Sequence, residues 1–224
     1  MSRVFLSCFL CLCAASAAEA QVFIGRDVPR RGSVEIGGAL TWAGSQQLPE
    51  QAALLTPNPG TGSGSFQLFN SEPKLDAAVG AQATVAFYLT PALAIEGGFR
   101  FARPNLTVQL TDDFEGAPDI TASSTVTQYL FIGSLVYHFG GRGRVTPFIS
   151  GGAGHARDAH DGNELVETGT EFHGTAGVKI WFASGRRKVG LRLEGGFSMI
   201  DGGFSFEDGR RTAPTAAAGI AYIF

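Results

Sequence analysis

From about position 33 to the end of the chain, apolar side chains recur at every second residue, as in "EGGFRFA", "GVKIWFA" and "VGLRLEGGFSM". A period of two is the signature of a strand with two unlike faces, whereas a helix repeats every 3.6 residues. Eight such segments are expected, at roughly 33–43, 74–89, 92–104, 123–139, 145–156, 169–183, 189–200 and 212–224. The chain is therefore all-β, and its strands must find a sheet without free edges or a second sheet to pack on.

The links between these segments alternate in length. "LTPAL", "FGGRGRV" and "ASGRRKV" are short and rich in turn residues, while the other four links are long. The first long link, "SQQLPEQAALLTPNPGTGSGSFQLFNSEP", is rich in Gly, Pro and Ser, and "QQLPEQAALL" suits a short helical turn. A meander with short turns on one rim and long loops on the other points to an eight-stranded, antiparallel, up-and-down transmembrane β-barrel. A soluble sandwich has no reason to alternate its loops in this way.

The phase of the apolar residues decides which solvent the outer face meets. Leu75, Ala77, Val79, Ala81, Ala83, Val85, Phe87 and Leu89 share one face of the second segment. Ile95, Phe99 and Phe101 do so in the third, Phe172, Val178, Ile180 and Phe182 in the sixth, and Val189, Leu191, Leu193, Phe197 and Met199 in the seventh. The opposite phase carries Asp76, Glu96, Arg100, Glu171, Lys179, Arg192 and Glu194, together with many small residues such as Gly80, Ala94, Gly98, Gly177, Gly190 and Gly196. A narrow barrel cannot hold bulk on every inward strand face. Lipid accepts a bulky surface, and a Lys or Arg at its midplane costs about 2–4 kcal/mol. The bulky phase is therefore expected to face lipid and the small, charged phase the interior. In "TQYLFIGSLVYHF" both phases are apolar, so Leu130, Ile132 and Val136 are expected inside if Tyr129, Phe131, Leu135, Tyr137 and Phe139 face out. Near the short-turn rim the outward phase supplies an aromatic belt of Phe87, Tyr137, Phe139, Phe182, Tyr222 and Phe224, residues that favour a membrane interface.

The first twenty residues, "MSRVFLSCFLCLCAASAAEA", read as an export signal: Arg3, an apolar run, then Ala18 and Ala20 around Glu19. Three parts follow: a cleaved signal at 1–20, a short periplasmic leader at 21–32 and a barrel at 33–224. All three cysteines (Cys8, Cys11, Cys13) lie in the signal, which leaves the mature chain no disulfide, zinc–thiolate site or Cys nucleophile. The formal net charge of −3 gives no basic field, so nucleic acid is not an expected partner.

With its signal, eight alternating strands, the "PFISGGAG" stretch and a last strand ending on Phe224, the chain resembles the small outer-membrane β-barrel family that includes the OmpA and OmpX transmembrane barrels. The resemblance implies the outer membrane of a Gram-negative bacterium, with outer-membrane lipid and the barrel-assembly machinery as partners. It also implies that Phe224, Tyr222 and Ile220, alternating at the C-terminus, form the assembly signal. Both termini are expected on the periplasmic side, the long loops outside where they contact a ligand, and the protein as a monomer.

Buried charges must be paired. Glu96, Lys179, Arg192 and Glu194 come to similar depth counted from the short-turn rim, so together with Arg100 and Glu171 they are expected to form one salt-bridge network that seals the interior. His173 shares an inner face with Glu171, but no serine stands beside them in the sequence and no His-x-Ser motif occurs, so no enzyme is expected. Asp158, Asp161, Asn163 and Glu164 offer oxygen ligands without the ordered calcium-loop pattern, and no metal or cofactor is expected. The function expected is a structural or loop-mediated role in the cell envelope. The alternatives are a small passive channel, a soluble lipocalin-like carrier and, more remotely, a lipid A-modifying enzyme. Deleting Phe224 is expected to reduce membrane assembly, measured as loss of the band whose migration changes on boiling; unchanged assembly would remove the signal role from that residue.

Overall fold

A computed structural model describes residues 29–55, 66–140, 144–160, 165–182, 188–202 and 210–224. The expected signal at 1–20, most of the leader, the calcium-type positions Asp161, Asn163 and Glu164 and most of two short turns lie outside the described residues. The described residues form twelve strands: β1 (Val34–Ala43), β2 (Gln46–Gln47), β3 (Gln51–Leu55), β4 (Phe66–Leu75), β5 (Ala78–Tyr88), β6 (Leu93–Ala102), β7 (Asn105–Thr111), β8 (Ile120–His138), β9 (Val145–His160), β10 (Val166–Trp181), β11 (Lys188–Gly202) and β12 (Arg210–Ile223).

Eight of these close a barrel. β1 pairs with β5, and β5, β6, β8, β9, β10, β11 and β12 follow in turn; β12 then pairs with β1 over Glu35–Ile223 to Ala43–Thr215. Every pairing is antiparallel and joins successive barrel strands, which makes the barrel up-and-down. Inward and outward residues alternate along each strand. Across β8, Leu130, Ile132, Ser134, Val136 and His138 are buried inside, and Phe131, Leu135 and Tyr137 are exposed outside.

The remaining strands were not expected. β2, β3, β4 and β7 build a second sheet on the long-loop rim, in the order β3–β4–β7–β8 with β2 on β4. "QQLPEQAALL" thus supplies two short strands rather than a helical turn, and the first two long loops are largely sheet. β6 and β7 keep one register against β8: Ala102 opposes Gln128 and Asn105 opposes Thr125. The segment expected as a single strand at 74–89 instead breaks between β4 and β5. Gly80 opposes Ala102, and an unbroken register would set Asp76 against Leu106; Leu75 stands there instead. A slip of one residue exchanges the faces of a strand. Leu75 therefore turns into a core with Leu48, Leu106 and Val126 rather than outward. Asp76 leaves the barrel interior: its N–H donates to Asn105 O (2.8 Å), and its Oδ2 accepts from Thr107 Oγ1 (3.0 Å).

Small inward residues set how closely the strands and their cargo approach. At Gly152 a Cβ would be driven into the Gly133 carbonyl and the Ser134 Cα, whereas at the next residue, Gly151, it would meet nothing closer than His173 O at 3.7 Å. Gly152→Val is expected to lower the urea midpoint of the folded barrel, by an overpacking cost of about 3 kcal/mol, while Gly151→Ala stays within about 0.5 kcal/mol of the wild type. Equal midpoints for the two variants would contradict this close approach.

Candidate functional site

The interior is where the chain concentrates its chemistry. Nearest the short-turn rim, Ala86, Tyr88, Ala94, Val136, Phe148, Trp181, Ala221 and Ile223 make a buried apolar plug. Set into it is an ion pair absent from the sequence expectation. Lys179 Nζ donates to both carboxylate oxygens of Glu35 at 2.7 and 2.8 Å, and both side chains are 1% exposed. Tyr88 donates its hydroxyl to the same carboxylate at 2.6 Å and stacks on His138 with ring centroids 5.2 Å apart.

One layer further in, the Arg192 guanidinium donates to Glu96 through both terminal nitrogens, with Nη2–Oε1 at 3.0 Å. Its Nη2 also donates to Glu194 at 2.8 Å. β11 and β6 lie four strands apart in the eight-stranded ring, so the Arg192–Glu96 bond spans the barrel. The Phe148 ring fills the space between the two layers, with Lys179 Nζ 5.5 Å and Arg192 Cζ 4.9 Å from its centroid, a distance at which a ring face attracts a cation.

Lys179 and Arg192 are direct cross-strand partners. Like charges so placed repel. They therefore diverge, Lys179 to Glu35 on β1 and Arg192 to Glu96 on β6, and the charges form separate clusters instead of one network. Arg100 donates from Nε to Gln82 at 3.2 Å.

Glu171 belongs to a third cluster, where the sequence expectation of no poised serine is corrected. His173 Nε2 lies 2.7 Å from Ser134 Oγ, His173 Nδ1 lies 2.9 Å from Glu171 Oε2, and Ser198 Oγ donates to Glu171 Oε1 at 2.8 Å. The contact is possible because Gly152 separates Ser134 from His173 in the sheet and carries no side chain. With a proton on Nδ1 shared with the carboxylate, Nε2 is free to accept from the serine, which is the order of a nucleophile, base and acid. Catalysis further needs access and oxyanion donors. Among the described residues, two cavities of about 20 and 10 Å³ touch neither Ser134 nor His173, while Ser198 lines the first. As placed, the group ties β8, β10 and β11 together. Toward the long-loop rim, Arg211 Nη2 donates to Asp158 Oδ2 at 3.0 Å and Gln128 Nε2 to Asp158 Oδ1 at 3.0 Å, so the one calcium-type ligand among the described residues is turned into the barrel.

On the outside, Phe87, Tyr137, Phe139, Phe182 and Phe224 are exposed near the short-turn rim, and Tyr222 packs edge-on against Phe224 with centroids 4.7 Å apart. Ile220 is 62% exposed. A closed antiparallel barrel of eight strands, bulky outside and polar within, defines the chain's fold as that of the outer-membrane β-barrels. No protein-family model and no curated protein matches the sequence. Among solved structures the chain is similar to the outer membrane protein OprG from Pseudomonas aeruginosa, at 12% identity, TM-score 0.52, 87% of this chain and 97% of that one. It also matches Neisserial surface protein A at 13% identity, TM-score 0.46, 85% of this chain and 97% of that one. A third match is Ail, the attachment invasion locus protein of Yersinia pestis, at 13% identity, TM-score 0.45, 87% of this chain and 99% of that one.

Breaking a buried ion pair from one side leaves an uncompensated charge, at a cost of about 3–5 kcal/mol, while replacing both partners by apolar residues is often near neutral. Glu35→Gln alone is therefore expected to lower stability by that amount, and the Glu35→Met/Lys179→Met double variant to lie within about 1 kcal/mol of the wild type. Urea titrations in detergent read both; additive losses would show that the two residues do not act as a pair.

Proposed function

We propose that this chain is an integral outer-membrane protein whose sealed barrel anchors a sheet and loops that act outside the cell. The observation that carries the reading is the outer surface. Leu40, Val85, Ile95, Phe131, Leu135, Ile149, Phe197 and Ile220 are large, apolar and between 47% and 69% exposed, and they come from seven of the eight barrel strands. Such a belt is costly in water and favourable in a hydrocarbon layer. No helix among the described residues is long and apolar enough to cross a membrane, so any crossing is by strands. The short-turn rim, with both ends of the barrel, then faces the periplasm, and the β3–β4–β7–β8 sheet projects outward.

The interior supports a structural or contact role over a conducting one. The apolar plug, the Lys179–Glu35 pair and the Arg192–Glu96 bridge lie in succession across the lumen, and the two cavities are of a size to hold one or two waters. A soluble carrier of lipocalin type would place its bulk inside; this chain places it outside. The outer-membrane lipid and the assembly machinery are the partners that this reading requires, with an extracellular ligand met by the projecting sheet. In planar lipid bilayers the purified protein is expected to give no stable open level at neutral pH. A steady open level would overturn the sealed reading, and release of the protein from membranes by high salt without detergent would overturn the membrane reading.

A further inference from the structure

The far end of the rim sheet carries apolar side chains that lipid does not account for. Leu55 on β3 opposes Phe66 on β4, at the end of that pair away from the barrel. The stretch after β7 turns back over β4, where the Phe114 N–H donates to the Leu68 carbonyl at 2.8 Å. This sets the Phe114 ring beside Phe66, with centroids 5.2 Å apart and planes tilted by 54°. Phe114 is 71% exposed, Phe66 41% and Leu55 47%. Unlike Phe131 or Ile220, none of the three stands on a barrel strand. Neighbouring exposed rings form a patch rather than scattered single residues, and such patches mark contact surfaces.

The charge around this tip has one sign. Residues 44–73 and 104–125, which hold most of the rim sheet, carry Glu50, Glu72, Asp112, Asp113, Glu115 and Asp119 and no Lys, Arg or His. These six carboxylates stand against a formal charge of −3 for the whole chain, so the rest of the chain is net positive. All six are exposed, and among the described residues none is ion-paired. Asp112, Asp113 and Glu115 flank Phe114 directly. They do not converge on a point: among the described residues no three His, Cys, Asp or Glu side chains come together as a metal ion would require. Asp113 Oδ1 instead accepts from the Glu115 and Ala117 N–H groups at 2.8 and 3.4 Å, and Asp112 Oδ2 accepts from Asn70 Nδ2 at 3.2 Å. These neutral donors hold the loop and leave its charge uncompensated. Carboxylates spread around exposed aromatic rings are complementary to an extended cation that brings apolar side chains of its own. A polypeptide segment alternating Lys or Arg with apolar residues has that chemistry.

We infer that the Phe66–Phe114 tip binds a basic polypeptide segment outside the cell, with the segment's apolar side chains on the two rings and its Lys or Arg side chains against Asp112, Asp113 and Glu115. The inference rests on the outward-projecting sheet proposed above and names the chemistry of its partner. Fluorescence anisotropy of the labelled peptide KFKSKFK, titrated with the purified protein in phosphatidylcholine nanodiscs, tests it. Binding above that of empty nanodiscs is expected, with Phe114→Ser about tenfold weaker than the wild type. Asp112→Asn/Asp113→Asn/Glu115→Gln is expected to be about 30-fold weaker at low salt. Both asparagines keep an acceptor for the loop's hydrogen bonds, and asparagine tolerates the φ of 54° at position 112. Asp201→Asn on β11 is expected to bind as the wild type does. Equal binding by the charge variant would overturn the site, and equal binding by Phe114→Ser would reduce it to attraction between charges and overturn it as well. Displacement of the peptide by millimolar calcium at fixed ionic strength would show a metal site and overturn the peptide as its occupant. Migration that changes on boiling is read on the same samples: its retention without peptide binding rejects the tip site alone, whereas a protein that stays folded and soluble without detergent or lipid rejects the membrane reading beneath it.

Discussion

The Phe224 N–H donates to the Val34 carbonyl at 2.9 Å, and from there β12 and β1 pair without interruption to Ala43 and Thr215. In a hydrocarbon layer no water is at hand for an unpaired N–H or C=O, and each one left open costs several kcal/mol. The seam between first and last strand is what removes the two edges that a sheet of eight strands would otherwise present. Alternation holds through the seam, with Ile223 buried inside and Phe224 exposed outside.

Closure of so few strands leaves a narrow lumen, and the lumen decides the composition. Inward glycines and alanines leave room for a small number of long polar side chains, and each of these has to find a partner inside the barrel. Arg192 reaches Glu96 from the far wall, Lys179 reaches Glu35, and His173 reaches Ser134 over a strand position that only glycine can occupy. The outside carries the complementary choice, bulk without charge, up to the rim where Arg103, Arg157 and the Asp201–Arg210 pair begin. The two faces are one constraint, expressed as alternation along every barrel strand.

That alternation made the eight barrel strands and the inward placement of Glu96, Arg100, Lys179, Arg192 and Glu194 readable from the sequence, whereas β8, apolar on both faces, left its register open. What escaped was long-range. Leu75 sits in phase with its outward neighbours along the chain, and only the one-residue slip between β4 and β5 turns it inward. β3 and β4 lack clean alternation, since their partners on the rim sheet are met partly by solvent on both sides. Glu35 carries the inward phase of β1 but signals nothing of Lys179, 144 residues away. Ser134, His173 and Ser198 come from three strands, and no local motif records that they meet.

The account depends on which face of the strands meets lipid, and β8 tests it, because it is apolar on both. Expressed from Gln21 onward the protein has no native cysteine, so single-cysteine variants from 130 to 137 can carry a nitroxide label unambiguously in a lipid bilayer. Collision with dissolved oxygen against a water-soluble nickel complex reads the surroundings of each label. Labels at Phe131, Leu135 and Tyr137 should be open to oxygen and shielded from nickel, while those at Leu130, Ile132, Ser134 and Val136 should be shielded from both. A reversed pattern, or no alternation along the strand, would contradict the account.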